Sequence, residues 1–187
     1  MSPFLYVGCL FLVIAVATWL SHRRQRPREI QFDEVPDLVR DEVQSRVPSF
    51  IVERVVTKPD RFRLEGDADG QPIQLKVKLR GFGAGRHIYR FQIQLETRSA
   101  YRSLKGKHLI DPRDVPNAVV EGARQAAETY GATFVDFTRV KAATVQGRKA
   151  YDVRAWSGDW RVEVELLDDG VILELELDYR PGESPER

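Results

Sequence analysis

Apolar and polar positions alternate with a period of two through much of the chain. Ile73, Leu75, Val77 and Leu79 alternate with Gln74, Lys76, Lys78 and Arg80, and Tyr89, Phe91, Ile93 and Leu95 alternate with Arg90, Gln92, Gln94 and Glu96. This predicts β-strands with one apolar and one polar face. Between them lies Gly-Phe-Gly-Ala-Gly-Arg-His, residues 81–87. A phosphate-binding glycine loop runs from a strand into a helix, whereas strand pattern flanks this stretch on both sides, so it predicts a hairpin with a long tip.

The second half carries tighter turn signals, Ser157-Gly158 and Asp169-Gly170, both of which suit two-residue hairpin turns. Pairing outward from the first sets Ala155 opposite Trp160, Val153 opposite Val162 and Tyr151 opposite Val164. Pairing from the second sets Leu166 opposite Leu173, Val164 opposite Leu175 and Val162 opposite Leu177. All of these apolar side chains then share one face, as a correct register requires.

Helical spacing appears twice, in Val35, Leu38, Val39, Val43 and Val47, and again in Val115, Ala118, Val119, Ala123, Ala126, Ala127 and Tyr130. Each segment opens on an acid, a valine and a proline: Glu34-Val35-Pro36 and Asp114-Val115-Pro116. Proline is tolerated in a first helical turn, and acids there suit the helix dipole. Each helix is followed by a small-residue break and then by strand pattern, so the two halves read as an internal duplication.

The N-terminus departs from this plan. Phe4 to Leu20 is an uncharged apolar run near the short end of what spans a bilayer, with Trp19 at its end and Arg23, Arg24, Arg26 and Arg28 just beyond. This predicts a single-pass transmembrane helix, a location in the cell membrane, and, by the positive-inside rule, a cytoplasmic C-terminal part. The competing expectation is a cleaved export signal with Ala15-Val16-Ala17 as its processing site, although no basic residue precedes the apolar run.

The predicted organisation is a transmembrane anchor over 1–21, a basic juxtamembrane tether over 22–32, a first repeat over 33–110, a second over 111–180 and a disordered tail over 181–187. The fold class is α+β: an N-terminal transmembrane helix, then two α-β-meander repeats. Each repeat packs a helix on an antiparallel sheet, and the two sheets are able to run on into one.

Composition narrows the chemistry. A net charge of +1 argues against a general nucleic-acid binder. The single cysteine, Cys9, excludes a disulfide framework and a cysteine-ligated metal. His22, His87 and His108 are far apart, with no acid at metal-ligand or triad spacing, and no serine sits in a glycine-flanked elbow. Carboxylates on an open sheet lack the desolvation that makes a general acid. No enzyme, metal site or cofactor is therefore expected.

The same pairing sets Asp152, Glu163 and Glu176 side by side on the polar face, Glu165 opposite Glu174, and Arg154, Arg161 and Asp178 in the next row. Like charges directly opposite each other are destabilising. Such a face is either solvated and relieved by screening and neighbouring arginines, or a surface for a basic partner or for the basic face of the other half. A hard-cation site is the weakest alternative, because strands splay their side chains apart. The first half offers Lys76, Lys78 and Arg90, and Trp156 lies beside the turn, as a contact residue or as a cover for the core. The candidate partner-binding set is Lys76, Lys78, Arg90, Asp152, Arg154, Trp156, Arg161, Glu163 and Glu176.

A helix opened by Val-Pro, a small-residue break, Gly147 with Tyr151 and Val153 in a G-x-x-x-Y-x-V strand, and the Asp169-Gly170 hairpin together resemble the PepSY-like module. Two in tandem are similar to the beta-lactamase-inhibitor-type arrangement. The resemblance covers residues 114–179 directly and 35–97 through the duplication, where Gly-Phe-Gly-Ala-Gly-Arg-His replaces the short acidic turn. It implies two helices backing one continuous sheet, an open concave face that binds a partner protein, and a location outside the cytoplasm. The expected function is a membrane-anchored, non-enzymatic protein-interaction module that restrains or regulates a partner, such as an envelope peptidase, through the outer sheet face. The alternative is a carrier of a small or lipid-like ligand between sheet and helices, in a space that Tyr130, Tyr151 and Trp160 would otherwise fill.

Overall fold

The alternating runs become strands of one antiparallel sheet. The computed structural model describes residues 26–96 and 106–182, with Glu96 described in its backbone alone. The strands are β1 (Arg28–Ile30), β2 (Phe50–Lys58), β3 (Arg61–Ala68), β4 (Gln71–Arg80), β5 (His87–Glu96), β6 (His108–Leu109), β7 (Arg139–Val145), β8 (Arg148–Ser157), β9 (Trp160–Leu167) and β10 (Ile172–Tyr179). Their order across the sheet is β1-β2-β3-β4-β5-β10-β9-β8-β7-β6. The helices are α1 (Asp37–Arg46) and α2 (Asn117–Glu128), each entered through a single 3-10 turn. The chain thus traverses a short strand, a turn, a helix and four strands twice, and the last strands of the two passes, β5 and β10, pair at the centre.

Every fourth residue of α1 faces the sheet: Val35, Val39, Val43 and Val47 are buried, as are Val115, Val119, Ala123 and Ala127 at the equivalent positions around α2. Leu38 and Ala118, expected on the same stripes, point outward. A single i, i+4 ridge seats α1, whereas α2 also buries Ala126 beside its ridge. Beneath the helices Leu64, Leu75, Val77, Phe91, Ile93, Val162, Val164, Leu175 and Leu177 form one apolar cluster that runs through both passes. α2 lies close on the β9–β10 turn: a Cβ on Gly122 would come within 2.8 Å of the Gly170 carbonyl oxygen, and a Cβ on Gly170 within 2.6 Å of that of Ala118. Gly170 also has φ +85, a conformation that suits glycine.

Two expectations are corrected. The described residues form one ten-stranded sheet with two α-helices, in place of a transmembrane helix followed by two α-β-meander repeats. The β5–β10 ladder joins the halves, because both strands are long, alternating and apolar toward the same side. Among the described residues no helix is long and apolar enough to cross a membrane. The anchor expected over 1–21 lies outside the described residues. The single-pass location, the membrane as partner and the choice of membrane side are therefore set aside.

The β8–β9 register also differs by two residues. Gly158-Asp159 forms the turn, so Ser157 pairs with Trp160, Ala155 with Val162 and Tyr151 with Leu166. The shift is even, so each side chain keeps its face. From Glu174 onward the β9–β10 register has Val164 opposite Leu175 and Val162 opposite Leu177, while a bulge sets Leu166 opposite Ile172.

Candidate functional site

With the helices on one side, polar residues line the other side of the sheet, and strand register fixes their neighbours. Across β8, β9 and β10 the rows are Asp152–Glu165–Glu174, Arg154–Glu163–Glu176 and Trp156–Arg161–Asp178. The two-residue shift thus sets Arg154, rather than Asp152, opposite Glu163. Arg154 lies 2.5 Å from Glu163, and Arg161 is 3.3 Å from Glu176. The Lys107 ammonium bridges Asp152 at 2.8 Å and Glu165 at 2.5 Å. Burial lowers the Lys107 pKa, but its bonds to the two carboxylates outweigh that and raise it overall.

The seam carries the strongest contact. Asp178 is 0% exposed and accepts two bonds from Arg90, at 2.8 and 2.7 Å, and one from Arg180 at 2.8 Å, whose Nη2 also forms an ion pair with it at 2.7 Å. Arg161 adds a third guanidinium at 3.8 Å. Burial pushes the Asp178 carboxyl up, yet Arg90 and Arg180 outweigh it and hold the group below its ordinary value. Gln92 donates to Glu176 at 3.1 Å and Gln94 to Glu174 at 3.4 Å, so a partly neutral column separates the basic strands from the acidic ones.

Of the candidate residues, Arg90, Arg154, Arg161, Glu163 and Glu176 are joined in ion pairs across the sheet, and Asp152 is buried beneath Lys107. Trp156 is half-buried, with Arg161 as its cross-strand neighbour. Lys76 donates to Gln94 at 2.8 Å, and Lys76 and Lys78 line a groove over β2, β3 and β4 with Lys58, Arg61 and Arg63. Lys58, Arg61, Arg63, Lys107 and Arg180 escaped the sequence reading. Pro59-Asp60 is a turn signal that would have paired β2 with β3. Continuing the alternation past Asp178 would have placed Arg180 on the same face. Nothing in the sequence pattern points to Lys107.

On the helix side, the Arg46 guanidinium at the end of α1 lies 4.1 Å from the Tyr179 ring centre, 4.9 Å from Trp160 and 5.5 Å from Phe91, held by Glu42 at 2.5 Å. Trp160 is thereby occupied with closing the core. At the far end of α2 a cavity of about 320 Å³ is lined by Leu95, Ala126, Tyr130, Ile172 and Leu175. Among the described residues no group of His, Cys, Asp or Glu gathers in a way that would hold a metal ion.

No family model matches the chain, so the PepSY-like resemblance is without one, and no curated protein matches it. Among solved structures, a BLIP-like protein from Bacteroides fragilis is similar over 75% of this chain and 84% of that one, at 13% identity and a TM-score of 0.26. That score is too low to show that the two share a fold.

Proposed function

We propose that the chain is a non-enzymatic protein-interaction module that engages its partner with the outer face of the sheet. The observation that supports this is the one-sidedness of the fold. Both described helices pack on the same side, leaving a broad, polar, ion-paired surface opposite them. Cross-strand pairing holds its side chains in fixed positions, so little side-chain entropy is lost on docking. The finer form of the proposal, taken from the resemblance, is that docking restrains a partner enzyme such as an envelope peptidase.

The test is site-specific photo-crosslinking, with the probe at Gln92 on the outer face and at Gln44 on α1. A partner captured from Gln92 and not from Gln44 supports the proposal. Equal capture from both, or from Gln44 alone, rejects it. The cavity beside Ala126 and Tyr130 favours a second reading, a carrier of a small apolar ligand. A saturable rise in melting temperature with a medium-chain fatty acid, abolished by Ala126→Leu, would favour the carrier.

A further inference from the structure

Lys58 on β2, Arg61 on β3, Lys78 on β4 and Arg90 on β5 stand directly opposite one another in a single row across four strands. In the next row Arg63 faces Lys76. Arg90 is bound by Asp178 and Arg63 reaches Glu65 at 3.1 Å, whereas Lys58, Arg61 and Lys78 form no ion pair among the described residues. Lys58, Arg61, Arg63, Lys76 and Lys78 wall a groove of about 300 Å³ whose lining contains no acid, with Pro27 and Val56 supplying apolar surface. Like charges directly opposite on a sheet oppose folding. The effect shows at Lys78, whose ammonium is pushed below its ordinary pKa by burial and then by Arg90 and Arg61.

We propose that this groove is an anion site that takes a short, extended, carboxylate-rich segment of a partner protein. The proposal rests on the protein-binding function above and supplies the chemistry of the partner. Two geometric facts favour a peptide. Arg61 and Arg63 lie two positions apart on one strand, so the two cationic rows are about 6.8 Å apart, the spacing of alternate side chains in an extended chain. A Glu-x-Glu segment lying along β3 therefore presents one carboxylate to each row, and guanidinium groups match carboxylates in a planar, two-bond geometry. Beyond the neutral Gln92 and Gln94, the same face carries Glu174, Glu176, Glu163 and Glu165. A nucleic-acid duplex or an anionic bilayer broad enough to cover the cations would also lie over these carboxylates. A short peptide does not.

The test uses the full chain and a fluorescein-labelled peptide of alternating Glu and Ser, followed by fluorescence anisotropy. Saturable binding is expected, weakened about 10-fold or more by Arg61→Gln with Lys78→Gln, and weakened as salt rises from about 0.05 to about 0.5 M. Melting temperature should hold or rise in that variant, since the substitutions remove repulsion. Arg148→Gln, which removes a cation from the far β7–β8 turn, should bind as wild type. Equal affinity in the Arg61/Lys78 variant, equal loss in Arg148→Gln, or tighter Arg61-dependent binding of a single-stranded oligonucleotide or of anionic vesicles would each overturn the proposal. If the peptide fails to bind while Gln92 still crosslinks a partner, the acidic chemistry falls and the docking face stands; if both fail, both fall.

Discussion

Replacing Asp178 by Asn tests whether the charge network at the seam stabilises the sheet. The carboxylate is fully buried, accepts three N–H bonds from Arg90 and Arg180 and is ion-paired with both, with Arg161 nearby. Asn keeps one acceptor oxygen, points an amide donor at guanidinium groups and removes the charge that compensates them. Stripping one partner from a buried ion pair costs about 3–5 kcal/mol. The lower end applies, because Arg90, Arg161 and Arg180 are 24%, 28% and 26% exposed and regain some hydration. A loss of about 3 kcal/mol lowers the melting temperature by about 6–12 °C in a chain of this size. Urea denaturation should show a lower midpoint at unchanged slope.

The pH dependence has a definite sign. Asp178 is held below its ordinary value in the folded state, so its contribution is present above the unfolded carboxylate pKa of about 3.9 and is lost as pH falls through the lower folded value. The gap between wild type and Asp178→Asn should stay constant from about pH 5 to 8 and close below about pH 4. A variant within about 0.5 kcal/mol of wild type at pH 7, or a gap that persists in acid, would refute this account.

Gly122→Ala should lower stability by about 1–3 kcal/mol in thermal melts despite alanine's better helix propensity, because the new methyl meets the Gly170 carbonyl oxygen at 2.8 Å. Lys107→Gln should cost about 2 kcal/mol by urea denaturation, since it leaves Asp152, 2% exposed, and Glu165 without their cation. Arg46→Ala should cost about 1 kcal/mol and change tryptophan emission, as it uncovers Trp160 and Tyr179. Arg61→Gln alone should leave stability unchanged or raise it by a few tenths of a kcal/mol.

Strand content and the facing of side chains were legible in the sequence because period-two alternation depends on local chemistry alone. Leu75, Val77, Ile93, Val162 and Leu177 were placed on the buried side by that rule, and they lie there. Register was less legible. Ser157-Gly158 and Gly158-Asp159 are both acceptable two-residue turns, and an even shift leaves every apolar residue inside, so hydrophobicity could not choose between them. The choice decides whether Arg154 or Asp152 faces Glu163, and with it the electrostatics of the outer face. The Lys107–Asp152 and Arg90–Asp178 contacts bring side chains together across 45 and 88 residues of sequence, which no local pattern records. The helix stripes were read too broadly at Leu38 and Ala118, which point outward, while Ala126 and Tyr130 of the same α2 stripe do meet the core.

β10, the last of the described strands in chain order, sits in the middle of the sheet. On the ribosome the first pass can form its helix and four-strand meander early, but it must then hold the ten-residue β5 as a bare edge until Tyr179 has emerged. Closure waits for a strand more than 70 residues further along the chain, which predicts slow folding and a nascent species open to strand-swapping with a neighbour. Deleting the eight residues of β10 alone would take away the keystone between the halves of the sheet.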